Sequence, residues 1–151
     1  MHIGWSFLDK RKATIRAIEA YRSMSFIIKN SELDIDKIRA RMEGVGSPNI
    51  DGMPHSHDPQ AAEDRMLSCI EEIDTIKERY RQAKEYMSWF QPAWDHLSDD
   101  EKYLLESFYL LDGDEVDIYA MENHLGYVRK TIYNKKNMAL DHLTTLLYGK
   151  V

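Results

Sequence analysis

A single cysteine, Cys69, stands among the 151 residues, so no disulfide can close within one chain. That suits a reducing compartment, and a cytoplasmic location is the expectation. No apolar stretch approaches the roughly 20 residues that cross a bilayer, so no membrane partner is expected. The opening run MHIGWSFLDKRK lacks the apolar core, about 7 to 15 residues long, of a secretion signal. Runs of β-branched residues are scarce and 30% of the residues are charged, which predicts an all-α fold. Paired Cys ligands, an HExxH helix and a Gly-rich phosphate loop are all missing. The fragment His55-Ser56-His57-Asp58 offers too few ligands for a metal. The acids that might be paired as general acid and base lie beside basic residues on helix faces, with nothing to suggest a cleft. The sequence therefore assigns no metal, no cofactor and no catalytic residue, and no enzyme is expected. A net charge of −6 argues against a protein that coats nucleic acid generically. It leaves specific binding open, because the charge is unevenly spread.

Proline and glycine are concentrated rather than scattered. Residues 44–59, GVGSPNIDGMPHSHDP, hold three of the four prolines and three of the seven glycines, and they read as a linker. Residues 1–43 ahead of it read as two helices. The first runs from about Asp9 to Lys29, with Leu8, Ile15, Ile18, Tyr21, Ser25 and Ile28 on one face. Asn30-Ser31 is expected to interrupt it, and a short helix with Leu33, Ile35, Ile38 and Met42 follows. Nine bases against six acids make residues 1–50 mildly basic, which reads as a solvated face. Residues 60–92 form one long helix. Ala62, Met66, Cys69, Ile73, Ile76, Tyr80, Ala83, Met87 and Phe90 recur at spacings of four and three, a heptad seam that must be covered. Its cover is either the N-terminal helices, folded back as a hairpin, or the same helix of a second copy. A homo-oligomer through the 62–90 seam is the expectation. Cys69 on that seam reads as a small buried hydrophobe, and Pro92 is expected to end the helix.

Residues 97–151 carry the most informative pattern. Ser98 and Glu101 make a capping box, after which Tyr103, Leu104, Phe108 and Leu111 recur at helical spacing. Asp112-Gly113 stops that helix. A short second helix places Ile118, Met121 and Leu125 on one face, and Gly126 ends it in the left-handed conformation. A third helix starts near Val128 with Ile132, Ala139, Leu143 and Leu146 inward. Two short helices, a tight glycine turn and a longer helix make a helix-turn-helix pattern. The charge changes sign at the turn. From Asp95 to Tyr127 ten acids face one base, Lys102, whereas from Val128 to Lys150 five bases face one acid, Asp141. A helix bound for the major groove needs cations for phosphates and donors for base edges. With Ile132 inward, Arg129, Lys130, Tyr133 and Asn134 point outward. Arg129 suits guanine and Asn134 suits adenine, while Lys130 and Tyr133 suit either base edges or phosphates. Lys135, Lys136 and Asn137, further along, suit phosphate. Double-stranded DNA is thus the expected partner.

The same segment resembles region 4 of sigma-70-type factors. Leu97, Glu101 and Leu105 fit the start of that pattern, and Met121, Leu125, Gly126, Thr131, Ile132, Ala139, Leu140 and Leu143 fit the rest. Two positions depart from it: Glu122 stands where a small residue packs between helices, and Val128 stands where Ser or Thr caps the recognition helix. The resemblance extends base readout to the four outward residues. Over about its full length, the chain is similar to small sigma-like regulators of phage and prophage genes in Gram-positive bacteria, of the RinA and ArpU type. What this implies is a sequence-specific DNA-binding regulator of phage or prophage transcription in a bacterial host cytoplasm, with host RNA polymerase as a further partner. Two other readings stay open: a helical adaptor that binds polymerase or another sigma factor, and a phage DNA-packaging subunit. The C-terminal place of the DNA-binding pattern counts against the latter.

Overall fold

Two aspartates start the two long helices. Asp9 Oδ1 accepts from the Lys12 N–H at 3.2 Å, and Asp58 Oδ1 accepts from the Gln60 N–H at 3.0 Å. Pro59 follows Asp58 in the first turn, where its missing N–H costs nothing. The computed structural model describes residues 9–45, 58–111 and 116–149. Among them are five helices and no strand, an all-α chain: α1 Lys10–Val45, α2 Pro59–Asp95, α3 Asp99–Tyr109, α4 Ile118–Leu125 and α5 Arg129–Tyr148. No described helix is long and apolar enough to cross a membrane. Of the expected linker, residues 44, 45 and 59 are helical. Residues 46–57, with His55 and His57, lie outside the described residues, as do Leu8, Asp112, Gly113 and Lys150.

Contacts divide the chain into two units, Ser25–Glu85 and Met1–Met24 with Tyr86–Val151. In the first, Asn30-Ser31 does not interrupt the helix. The Asn30 amide donates to Phe26 O at 2.8 Å, and the Ser31 hydroxyl donates to Ile27 O. Both side chains bond back one turn instead of competing for the local backbone, so α1 runs through. The seam packs on α1 of the same chain: Cys69 and Ile73 bury against Ile38, with Ile35, Met42 and Ile76 beside them. Arg41 and Glu72 bridge the two helices at 2.6 Å. Leu33 and Met66, both expected inward, are exposed. Phe26, Leu67 and Ile70 are exposed as well, so this unit leaves much apolar surface uncovered.

The second unit holds the deeper core. Ala17 and Ile18 of α1, Phe90 and Trp94 of α2, Leu97, Leu105 of α3, and Ala139, Leu140, Leu143 and Leu147 of α5 form one buried cluster. Leu104, Met121 and Ile132 form a second, which joins α3, α4 and α5. The fully buried hydroxyls of Thr14 and Thr144 donate to Lys10 O and Leu140 O. Pro92 does not end α2, which continues to Asp95. Its ring removes one helical hydrogen bond, a defect costing about 3 kcal/mol in a helix interior. The turn survives near the helix end because Phe90, Trp94 and Leu97 are all buried around it. Leu111 and Leu146, expected inward, are exposed at 66% and 38%; Leu147 takes the inward place. Leu111 lies past the end of α3, and Leu146 is one residue off the stripe.

The capping box of α3 forms as expected. Glu101 accepts from the Ser98 N–H at 2.8 Å, and its own N–H donates to Ser98 Oγ at 3.3 Å. The other Glu101 oxygen lies 2.8 Å from His142 Nδ1 on α5. Partial burial opposes the charge on Glu101, but the Ser98 N–H, His142 and the Ser98 hydroxyl together outweigh it. The carboxyl is held below its ordinary value of 4.5. A depressed carboxyl stabilises the fold above its unfolded value and loses that stabilisation as pH falls through the folded one. Glu101→Gln is therefore expected to be less stable than the native protein at neutral pH, with the gap closing below pH 4.5. Urea unfolding across a pH series measures this; a gap unchanged well into acid would mean that the charge of Glu101 contributes nothing.

Candidate nucleic-acid interface

The turn between α4 and α5 is built from local rules. Asp117 caps α4, its side chain accepting from the Ala120 N–H at 2.9 Å. Gly126 ends α4 at φ 73° and ψ 21°, the left-handed region in which a Cβ is strained. Val128 then stands at the start of α5 with extended backbone and no side-chain cap, as its apolar side chain dictates. The missing cap leaves the first N–H groups of α5 without a side-chain acceptor from Val128, at the end where helix dipoles favour anions. Ile132 is fully buried against Leu104 and Met121. It fixes the rotation of α5 about its own axis.

With Ile132 inward and about 100° per residue, the expected residues sort into an outer face and two flanks. Lys130, Tyr133 and Asn134 are exposed on the outer face, and Asn137 is half-buried beside them. Arg129 is exposed too, but it sits toward one flank, its guanidinium 6.0 Å from the Tyr133 ring centre. Lys136 is on that same flank, half-buried, its ammonium 5.0 Å from the centre of Phe108 and 5.9 Å from that of Tyr133. Lys135 is on the opposite flank, half-buried, 4.8 Å from the centre of Tyr127. Phe108 meets Tyr133 edge-on, with ring centres 5.5 Å apart.

These contacts matter for charge. Arg11, Lys12, Lys37, Arg39, Arg41 and Arg81 each pair with a carboxylate. Among the described residues no carboxylate lies within ion-pairing distance of Arg129, Lys130, Lys135 or Lys136. A cation over an aromatic face keeps its charge available to an outside anion, whereas a salt bridge neutralises it. The first half of α5 thus carries four positive charges that no ion pair among the described residues compensates, two exposed side-chain amide or phenol donors and an exposed Met138.

The residues missed from sequence are the aromatic seats, Phe108 and Tyr127. Phe108 reads as a core residue of α3 from its spacing, and it does pack against the Leu104 cluster. Only the packing of α3 against α5 reveals that its ring also meets Lys136. Met138, 69% exposed, has no apolar partner in the pattern that would have flagged it. Elsewhere, Asp58 of the possible metal fragment serves as the cap of α2. Among the described residues no group of three or more His, Cys, Asp or Glu is placed to hold a metal. Comparison with protein-family models, with curated proteins and with solved structures finds no match for this chain.

Proposed function

We propose that the chain is a sequence-specific DNA-binding regulator of transcription, with α4 and α5 as a helix-turn-helix and α5 as the helix that enters the major groove. The observation that carries this reading is the cluster of Arg129, Lys130, Lys135 and Lys136, none of them in an ion pair among the described residues, around the exposed Tyr133 and Asn134. Acids dominate the chain as a whole, so a local surplus of free cations with amide and phenol donors among them is a binding surface for a polyanion that presents base edges. The reading assigns no catalysis. The resemblance to sigma region 4 and to phage and prophage regulators points to the same surface, and host RNA polymerase is the further partner it suggests.

Selection of bound sequences from a random DNA pool with purified protein tests the reading. A defined site is expected to emerge. On that site Arg129→Ala or Asn134→Ala should weaken binding by about 1 to 3 kcal/mol and relax preference at one base pair. Lys136→Ala should weaken all sequences alike and lower the salt slope by about one. Recovery of no sequence at any salt concentration would remove the DNA reading and favour a helical adaptor.

Pairing of two copies through α2 belongs to the same proposal. The seam residues Cys69 and Ile73 pack on Ile38, which leaves Met66, Leu67 and Ile70 as exposed apolar surface in that stretch. Light scattering is expected to give a mass that rises above 17.8 kDa with concentration. A constant monomer mass would mean that α1 is the whole cover of the seam.

A further inference from the structure

The two lysines that flank α5 do not stand free. Lys136 is seated over Phe108 of α3 at 5.0 Å and beside Tyr133 at 5.9 Å, while Lys135 is seated over Tyr127 of the turn at 4.8 Å. They are neighbours in sequence, so their side chains leave the helix about 100° apart. With Ile132 inward, that puts one on each side of the buried stripe, at the two edges where α5 meets the rest of the unit. A lysine on an open surface samples many rotamers and loses that freedom when it binds. A lysine whose ammonium already rests on a ring has lost much of it beforehand, and its charge stays available because a ring, unlike a carboxylate, does not neutralise it.

Resting on the DNA-binding reading, we propose that Phe108 and Tyr127 are positioning residues. They hold Lys136 and Lys135 as a pair of preset phosphate clamps, one on each flank of α5, that grip the two backbones bordering the groove. Phe108 is half-buried and packs against the cluster of Leu104, Met121 and Ile132. It therefore ties one clamp to the core on which α5 itself is mounted, and the clamp and the outer face keep one register. The chemistry recognised is the sugar–phosphate backbone, so the contribution is independent of base sequence.

A double-mutant cycle separates positioning from packing. The probe is a labelled duplex of random sequence, titrated at two low salt concentrations, with melting followed for every variant. Phe108→Leu keeps an apolar side chain in the core and removes the ring. It is expected to weaken binding about two- to five-fold. In the Lys136→Ala background the same change is expected to have no further effect, because the cation it serves is gone. Tyr127→Leu with Lys135→Ala should behave alike, and this second cycle decides the matter should Phe108→Leu fail to fold. Losses that simply multiply in both cycles would overturn the inference while leaving the DNA reading in place. Absence of salt-sensitive binding by the native protein would overturn both.

Discussion

Ile132→Asp is expected to melt α3, α4 and α5 together. Ile132 is fully buried with Leu104 and Met121, with partly buried Phe108, Leu125 and Tyr127 packed against the same cluster. An aspartate there either keeps its charge in an apolar surrounding or takes up a proton, and both are costly. Loss of the apolar contacts adds to the damage. The total is expected to exceed about 4 kcal/mol, beyond the usual range for single substitutions and close to the roughly 5 to 15 kcal/mol of net stability of a small domain. The damage should be smaller in mild acid, where the introduced carboxyl is more easily protonated. Ile132→Val, which removes one methylene, should cost only about 0.5 to 1.5 kcal/mol. Circular dichroism melts of the two variants make the comparison. An Ile132→Asp protein that melts beside the native one would mean that α5 is rotated, which would withdraw the outer face and both flanks from their assigned roles.

That rotation is the part of the candidate interface most legible in the sequence. Ile132, Ala139 and Leu143 recur at helical spacing and are all buried, so the exposed Arg129, Lys130, Tyr133 and Asn134 follow from a wheel. The capping box of Ser98 and Glu101 and the left-handed Gly126 were equally readable, because each depends on residues within one turn of itself. Failures came where a local rule met a larger contact. Asn30-Ser31 looks like a break, yet both side chains can bond the preceding turn, and nothing local decides between the two outcomes. Pro92 looks like a stop, but burial of Phe90 and Trp94 on either side carries the helix past it. Leu33, Met66 and Leu146 satisfy a periodic pattern and still face outward, because spacing tells which residues share a face and not how wide the covered stripe is. The aromatic seats were illegible for a further reason. The ring of Phe108 reaches Lys136 only through the packing of α3 on α5, a contact between residues far apart in sequence.

A longer-range contact motivates the last expectation, that Phe90→Ala destabilises the C-terminal helices although Phe90 lies outside them. Phe90 is fully buried, with the rings of Tyr86, Tyr21 and Trp94 at centre distances of 5.3, 5.5 and 5.6 Å. Removing a buried phenylalanine costs about 3 to 5 kcal/mol, most where the site cannot collapse, and a cage of large rigid rings collapses poorly. The same cluster contains Ala17 and Ile18 of α1, Leu105 of α3, and Ala139, Leu140, Leu143 and Leu147 of α5. Arg11 of α1 adds a 2.8 Å ion pair to Asp141 of α5, though both are exposed and it contributes little. The inner side of α5 is therefore covered in part by the ends of the two long helices. A fragment that starts at residue 97 would expose that side to water. It is expected to melt without cooperativity, whereas the whole chain should lose its tryptophan signal and the helicity of this unit in one transition, shifted to lower temperature by Phe90→Ala. A fragment from residue 97 onward that melts as sharply as the intact protein would show that α3, α4 and α5 stand on the Leu104, Met121 and Ile132 cluster alone, and Phe90→Ala would then leave the proposed interface of α5 intact.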